Sequence, residues 1–304
     1  MSTPVAAPIW ILAAPFSGAS WLAGCLGRHP GLFATPELNL FLAPTVGELL
    51  DIFDIGQGAH AHGLLRALAE LEFGNQSDAA IACAREWLEQ RIDLPTGQVA
   101  LHLAARAAPR RLVVPDSESP LRPMDLQRLS EQIPDVSIVH LVRHPWEQGC
   151  LLAAWARERL FVPQDYKDHA FRPPQVEPQI PWLRSNTNIE RLLQRLPAGQ
   201  HRRLRDEDLS EPSAQSLADL CRWLDLQNDE TTLRSMSDPH EWTFAGYGPG
   251  TAPYGLEPEV LEPFSDEDLR LAALTTLSGP MPWQAEPEGL DAQVVHLAQR
   301  YGYA

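Results

Sequence analysis

The stretch that decides the fold is Pro8-Ile9-Trp10-Ile11-Leu12-Ala13-Ala14-Pro15-Phe16-Ser17-Gly18-Ala19-Ser20-Trp21-Leu22. Ile9 to Ala14 is a short apolar run of the length of a buried strand. Pro15, Ser17 and Gly18 mark a turn, and Trp21, Leu22, Cys25 and Leu26 then recur at helical spacing. Strand, small-residue turn and helix is the arrangement that aims backbone N–H groups and a helix N-terminus at an anion. Gly18 lets the backbone come close to such a ligand, and the hydroxyls of Ser17 and Ser20 can donate to it. The loop does not follow the G-x-x-x-x-G-K-[ST] spacing of a Walker A loop. On these residues alone, a Ser-capped helix after a core strand is an equal reading.

Outward from this stretch, His29-Pro30-Gly31 ends the first helix and Leu32-Phe33-Ala34 forms a second short strand. Glu37 follows in Pro36-Glu37-Leu38-Asn39-Leu40-Phe41, and its apolar neighbours predict a partly buried carboxylate. Helical spacing then recurs over 46–50, 62–71, 78–92 and 98–107. Arg111 to Pro115 is a third strand, ending in Asp116-Ser117-Glu118-Ser119-Pro120, and 124–133 is a helix. Val136 to Val142 is the clearest strand and runs straight into Arg143-His144-Pro145. Its near-continuous apolar character suits a parallel sheet buried on both faces. Arg143 therefore sits at a strand's carboxyl end, where open α/β sheets hold their ligands. His140, mid-strand, reads as a core residue.

Residues 162–182 are Pro-rich and read as the longest loop, a candidate lid. Helices are expected over 187–196, 210–224, 266–277 and 290–301, and the run His201 to Arg205 leads into Asp206. Asp206, Glu207 and Asp208 are expected to pair with Arg202, Arg203 and Arg205 or to cap the next helix. The run Phe244 to Gly255 is dense in Gly, Pro and Tyr, and reads either as a loop over a ligand or as a connector. The alternation of strands and helices gives one α/β domain over residues 1–304, with a mainly parallel central sheet and helices on both faces.

A formal net charge of −16 argues against a broad nucleic-acid or anionic-membrane surface. An anionic ligand then requires that the few cations gather in one cleft. Cys25, Cys83, Cys150 and Cys221 lie far apart without ligand spacing, so reduced thiols and no metal site are expected. No apolar stretch reaches the length of a membrane span and no basic region precedes the first apolar run, so a cytoplasmic location is expected.

Several segments together resemble the sulfotransferases that use 3′-phosphoadenosine 5′-phosphosulfate (PAPS), especially a bacterial branch related to the heparan sulfotransferases. The first loop of that family, Pro-(Lys/Arg)-Ser-Gly-Thr-(Thr/Ser), is similar to Pro15-Phe16-Ser17-Gly18-Ala19-Ser20. His29-Pro30 and Pro36-Glu37-Leu38-Asn39-Leu40-Phe41 resemble the segments that follow. The strand ending in Arg143-His144-Pro145 resembles the family's Arg-(Asp/Asn)-Pro, Asp116-Ser117-Glu118-Ser119-Pro120 its Glu-Lys-(Ser/Thr)-Pro, and Leu204 to Leu209 its Arg-Tyr-Glu-Asp-Leu. The resemblance spans about residues 8 to 226, in order.

It implies a P-loop-type three-layer sandwich and transfer of a sulfuryl group from PAPS to a hydroxyl of a small or carrier-tethered acceptor, leaving adenosine 3′,5′-bisphosphate (PAP). By resemblance, Ser17, Gly18, Ala19, Ser20 and Trp21 hold the 5′ side of the donor, Arg143 binds the 3′-phosphate, and Glu37 is the catalytic base. The chain departs from the pattern at four places, one of them the loop Gly246 to Gly255, which carries no cation where family members place a basic loop on the 3′-phosphate. At the other three, the first-loop cation is Phe16, the Lys before the acidic residue is Pro36, and the Ser eight residues after the strand-end arginine is Leu151. Losing a cation on a leaving group costs on the order of 10²–10³ in rate, so Arg28, Arg122 or His144 would have to substitute. The alternative is a catalytically silent, sulfotransferase-like binding module. A nucleotide-dependent phosphotransferase is disfavoured, because no Lys follows Gly18. Trp10, Phe41, Trp155, Phe161, Trp182, Tyr247 and Tyr254 are candidates for an apolar acceptor pocket, or for ordinary core.

Overall fold

The computed structural model describes residues 6–55, 58–210, 214–284 and 288–304. Its centre is β1 (Ile9–Ala13), every residue of which is buried. A strand with no polar residue on either face is stable only when both faces are covered. Strands β2 (Leu32–Ala34), β3 (Arg111–Asp116) and β4 (Ser137–Val142) join it, together with the later His201–Arg205. Two short strands, β5 (Lys167–Asp168) and β6 (Gln175–Val176), form a separate antiparallel pair, so His201–Arg205 is β7. The main sheet runs β2-β3-β1-β4-β7, and every pairing in it is parallel.

Helix α1 (Ala19–Gly27) follows β1 and packs on β1, β2 and β3. The long β2–β3 connection carries α2 (Val46–Ile55), α3 (His62–Phe73), α4 (Asp78–Glu89) and α5 (Thr96–Ala107). Beyond β3 come α6 (Pro123–Gln132), α7 (Pro145–Arg157) and α8 (Gln179–Leu193). Right-handed crossovers between parallel strands send α1 to one face and α5, α6 and α8 to the other. The contacts agree: α5 meets α6, α6 meets α8, and α8 reaches β1. Past β7 the chain forms α9 (Glu207–Ser210), α10 (Ala214–Trp223), α11 (Glu230–Met236), α12 (Pro258–Leu261), α13 (Asp266–Ala272) and α14 (Ala292–Arg300), with α11 backing α1.

The first four strands of the main sheet stand where the apolar runs predict them; the fifth, β7, is His-Arg-Arg-Leu-Arg and carries no such run. One helix is displaced: α8 begins at Gln179, inside the expected loop, and ends at Leu193 rather than 196. Pro181 reads as a breaker in sequence, yet it lies in the first turn, where a missing N–H costs nothing. Of the helix expected over 210–224, Ala214–Trp223 is present, and 211–213 lie outside the described residues. The helix expected over 266–277 stops at Ala272.

Register levels the carboxyl ends of the central strands. Leu12 of β1 lies between Asp116 of β3 and His140 of β4. The loops leaving β1, β2, β3, β4 and β7 therefore converge on one edge, bringing together residues 14–18, 37, 116–119, 143 and 206. His140 is fully buried, with Nε2 on Asn186 Oδ1 at 2.9 Å and Nδ1 accepting from Arg203 Nε at 3.3 Å. Its role is core packing, as expected. The seven candidate pocket aromatics do not form one pocket. Trp10, Phe41 and Trp182 are buried in two different apolar clusters, whereas Phe161, Tyr247 and Tyr254 are exposed. No helix among the described residues is long and apolar enough to cross a membrane.

Candidate functional site

The β1–α1 loop turns through two left-handed residues, Phe16 at φ 62° and Gly18 at φ 82°. Gly18 is the N-cap of α1 and supplies no side-chain cap, so the first-turn N–H groups need another acceptor. They find Glu257. Its carboxylate accepts the Ser17 N–H at 3.3 Å and the Ser20 N–H at 2.9 Å, and its own N–H donates to Ser20 Oγ at 2.9 Å. The loop therefore closes on a carboxyl group, and that group comes from the same chain. The Ser17 hydroxyl, 1% exposed, has no partner. Ala19 is buried, and Trp21 packs against the main core.

Arg143 leaves β4 beside this loop. A Cβ placed on Gly18 would lie 3.2 Å from Arg143 Nη2 and 2.9 Å from Asp206 Oδ1, so only glycine fits there. Arg143 Nε donates to Asp206 Oδ2 at 2.7 Å, and Nη1 donates to the Phe16 carbonyl at 3.0 Å and to Glu259 Oε2 at 2.5 Å. Glu147 stands 3.6 Å from Nε. Burial works against the cation, but Glu259, Asp206 and Glu147 more than reverse it, and the guanidinium is held above its ordinary pKa. Asp206 thus pairs across the sheet with Arg143 rather than with a neighbouring arginine, while Asp208 does pair with Arg205.

Glu37 closes the third side. Its Oε1 accepts from the Ser117 N–H at 3.1 Å and from Ser117 Oγ at 2.6 Å. Burial, and then the charge of Glu257, push its pKa well above the carboxylate range. Burial and Glu259 likewise raise Glu257 to about 8. Tyr166 faces the same cluster, its hydroxyl 3.5 Å from Glu118. The sequence residues Ser17, Gly18, Ser20, Arg143 and Glu37 are brought together, amid more carboxylates than cations.

Two of the three positions where the resemblance expects a polar residue pack together. Phe16 and Leu151 are buried in the same apolar cluster, with Cys150, Trp146, Leu121 and Tyr166, and the Phe16 ring lies 5.5 Å from Trp155. Restoring a lysine at 16 would place its stem in that cluster. Two of the three candidate substitutes are engaged elsewhere. Arg28 caps the far end of α1 and pairs with Glu241, and Arg122 bonds Asp125 and Asp165, whereas His144 accepts the Trp146 N–H through Nδ1 and keeps a buried Nε2 without a partner.

The Gly/Pro/Tyr run is strapped down by a buried arginine. Arg66, 2% exposed, donates to the carbonyls of Phe244, Gly246 and Tyr254. Gly255 (φ 115°) then passes so close to α3 that a Cβ on it would lie 2.6 Å from Gly63 Cα, and its carbonyl accepts the Glu37 N–H at 2.8 Å. The strap delivers Glu257 and Glu259 to the loop. Sequence reasoning missed both. A Glu-Pro-Glu just after the glycine-rich run was the available signal, but 237 residues separate Glu257 from Ser20 and 116 separate Glu259 from Arg143.

The titrating groups predict a one-sided pH dependence of stability. Glu257 (about 8) and Glu147 (about 7, raised by burial) hold protons in the folded state that the unfolded chain releases near 4.5. Stability from a raised pKa is complete below the unfolded value and is lost as pH rises through the folded one. His140 (about 3) and His144 (about 4), both lowered by burial, oppose this below 6.5, where the unfolded chain takes up protons that they refuse. Glu37, Asp116 and Glu207, also raised by burial, add to the carboxyl side, so the carboxyls outweigh the histidines in acid and act alone above 6.5. Tm is therefore expected to fall as pH rises from about 5 to 8.5, most steeply above 6.5. The slope is about 1.4 kcal/mol per pH unit for each group still protonated only in the fold. Thermal scans of wild type and Glu257→Gln test this, and an alkaline limb unchanged by the substitution would refute it.

Comparison with known proteins agrees with this architecture. The profile described as the sulfotransferase family matches residues 8–230. The chain is similar to the solved sulfotransferase domain from the curacin biosynthetic pathway, with 23% identity, a TM-score of 0.73 and 99% of each chain covered. It is also similar to the sulfotransferase domain from the Synechococcus PCC 7002 olefin synthase, with 24% identity and a TM-score of 0.71 over 100% of this chain and 98% of that one. No curated protein sequence matches. At these identities the structural likenesses speak for the fold, and the family rests on the profile, which spans most of the sequence and contains the β1 loop, Glu37 and Arg143. The chain belongs to the sulfotransferase family.

Proposed function

We propose that this protein transfers a sulfuryl group from PAPS to a hydroxyl of a small or carrier-tethered organic acceptor. The observation that carries the reading is the bound carboxylate of Glu257. The β1–α1 loop turns its N–H groups toward an acceptor, and carboxyl oxygens lie on them as phosphate oxygens would. The fit to PAPS is good at this end: the Ser17 and Ser20 N–H groups, the unpartnered Ser17 hydroxyl and the α1 N-terminus would hold the 5′ side. Arg143, one strand away, would hold the 3′-phosphate through its guanidinium fork. PAPS would supply an activated sulfuryl group, and the rest of the chemistry falls to this chain. Glu37 would accept the acceptor's proton, and Ser117 fixes the orientation of its carboxylate. Among the described residues no three His, Cys, Asp or Glu side chains are grouped to hold a metal ion.

The second reading, a silent binding module, is favoured by one observation. Phe16 and Leu151 are interior residues of an apolar cluster, so the polar groups that family members present there have been absorbed into packing. Calorimetry with PAP, controlled with 5′-AMP and ATP, together with mass spectrometry for sulfuryl transfer from PAPS to a panel of hydroxyl acceptors, separates the two. PAP binding that needs the 3′-phosphate, with transfer, is the expected result. Binding without transfer would favour the module, and no binding at millimolar concentration would remove PAPS from both.

A further inference from the structure

The donor cradle is filled by the chain itself. Glu257 lies on the Ser17 and Ser20 amides, and Glu259, two residues on, lies on Arg143 Nη1 at 2.5 Å. One short segment thus occupies both of the places assigned above to the donor's anionic groups. We propose that residues 257–261 are an intramolecular latch that competes with a phosphorylated ligand for this cradle, so that the ligand binds only by displacing it. The proposal rests on the reading of the cradle as the donor site.

Three features suit the segment to moving. It is held at one end by the Arg66 strap, by the Gly255 carbonyl on the Glu37 N–H and by the buried Leu256, so the part that swings is the short piece from Glu257 to Leu261. Its only helix, α12, is a single turn of four residues, too short to be stable by itself. Its seat is electrostatically crowded. Glu257 faces Glu37 and Glu259, with Asp206 and Glu147 on the same guanidinium, so the hydrogen bonds that hold the latch are opposed by like charge. A contact built this way is bistable: strong enough to close the loop, weak enough for a polyanion to replace. When the latch leaves, the Ser17 and Ser20 amides, the Ser20 hydroxyl and one face of Arg143 become free together, while Asp206 remains to hold the guanidinium.

A ligand that must open a closed state loses apparent affinity in proportion to the closed population. Glu257→Ala/Glu259→Ala, and the shape-keeping Glu257→Gln/Glu259→Gln, are expected to bind PAP about 10–100-fold more tightly than wild type in calorimetry. Removing two negative charges would also help any anion, so a second readout is needed. In wild type, PAP is expected to accelerate hydrogen exchange across 256–262, because the segment is expelled as the ligand enters. Equal affinity in all three proteins, or PAP binding that leaves exchange over 256–262 unchanged, would overturn the latch while leaving the donor reading intact. Inorganic pyrophosphate is the parallel probe. If PAP binds none of the proteins but pyrophosphate shows the tightening and the exchange increase, the latch stands and the PAPS reading falls. If neither anion binds any variant, the latch is refuted.

Discussion

Arg143→Ala is expected to cost about 3–5 kcal/mol of folding stability at neutral pH and to lower PAP affinity by at least about a hundredfold. The stability loss comes from what is left behind. Arg143 is 8% exposed, and its removal leaves Asp206 and Glu259 without the counter-ion that they share, with Glu147 nearby. Breaking a buried pair by deleting one partner strands the other charges in a medium that solvates them poorly, a larger penalty than the pair itself was worth. The Phe16 carbonyl also loses its donor, which loosens the left-handed turn on which the loop depends. The sign of the pH dependence follows. Carboxyl groups without the guanidinium hold protons more tightly, so the deficit relative to wild type should shrink as pH falls toward 5 and grow toward 8. Arg143→Lys keeps a charge but not the fork, and one ammonium cannot meet Asp206, Glu259 and the Phe16 carbonyl in that geometry, so an intermediate loss is expected. Urea denaturation of the three proteins at pH 5 and 7.5 decides the matter. A deficit below about 1 kcal/mol, the worth of an exposed ion pair, or one identical at both pH values, would show that the cluster is solvated rather than buried.

The fold was legible in this sequence because its signals are local. Ile9 to Ala13 is a continuous apolar run and Ser137 to Val142 a nearly continuous one, with the Gly18 turn shortly beyond the first and Arg143 directly after the second, so strand identity and site position come from nearby residues. The site was legible only in part. Ser17, Gly18, Ser20 and Glu37 read as ligand-facing because they follow strands, but nothing in their spacing announces which groups satisfy them. The Glu257 and Glu259 contacts close loops of more than a hundred residues, and no periodicity encodes such a contact. Asp206 misled for the related reason that three arginines stand within four residues of it, while its partner lies one strand over. Phe16 and Leu151 look like two independent losses until the fold shows them packed in one cluster.

Glu37→Gln is expected to lower kcat for the proposed transfer by about 10²–10⁴, the usual worth of a positioned general base, while leaving PAP affinity close to that of wild type. The amide oxygen can still accept both bonds from Ser117, so the variant removes the proton acceptor and little else. The pH profile carries more information than the rate. Burial and the Glu257 carboxylate together hold Glu37 protonated well above the carboxylate range, and a protonated Glu37 cannot take a proton from a hydroxyl. With the latch seated, the base is therefore silenced by the same group that fills the donor cradle. Displacing Glu257 removes the second cause of the raised pKa and leaves Glu37 easier to ionise. The acid limb of kcat/KM should consequently move to lower pH in Glu257→Gln and disappear in Glu37→Gln. A Glu37→Gln enzyme within about threefold of wild type would remove the base from this position, since general catalysis is worth far more than that. An acid limb that stays in place in Glu257→Gln would show that burial alone sets the Glu37 proton affinity, and would separate the catalytic carboxylate from the latch.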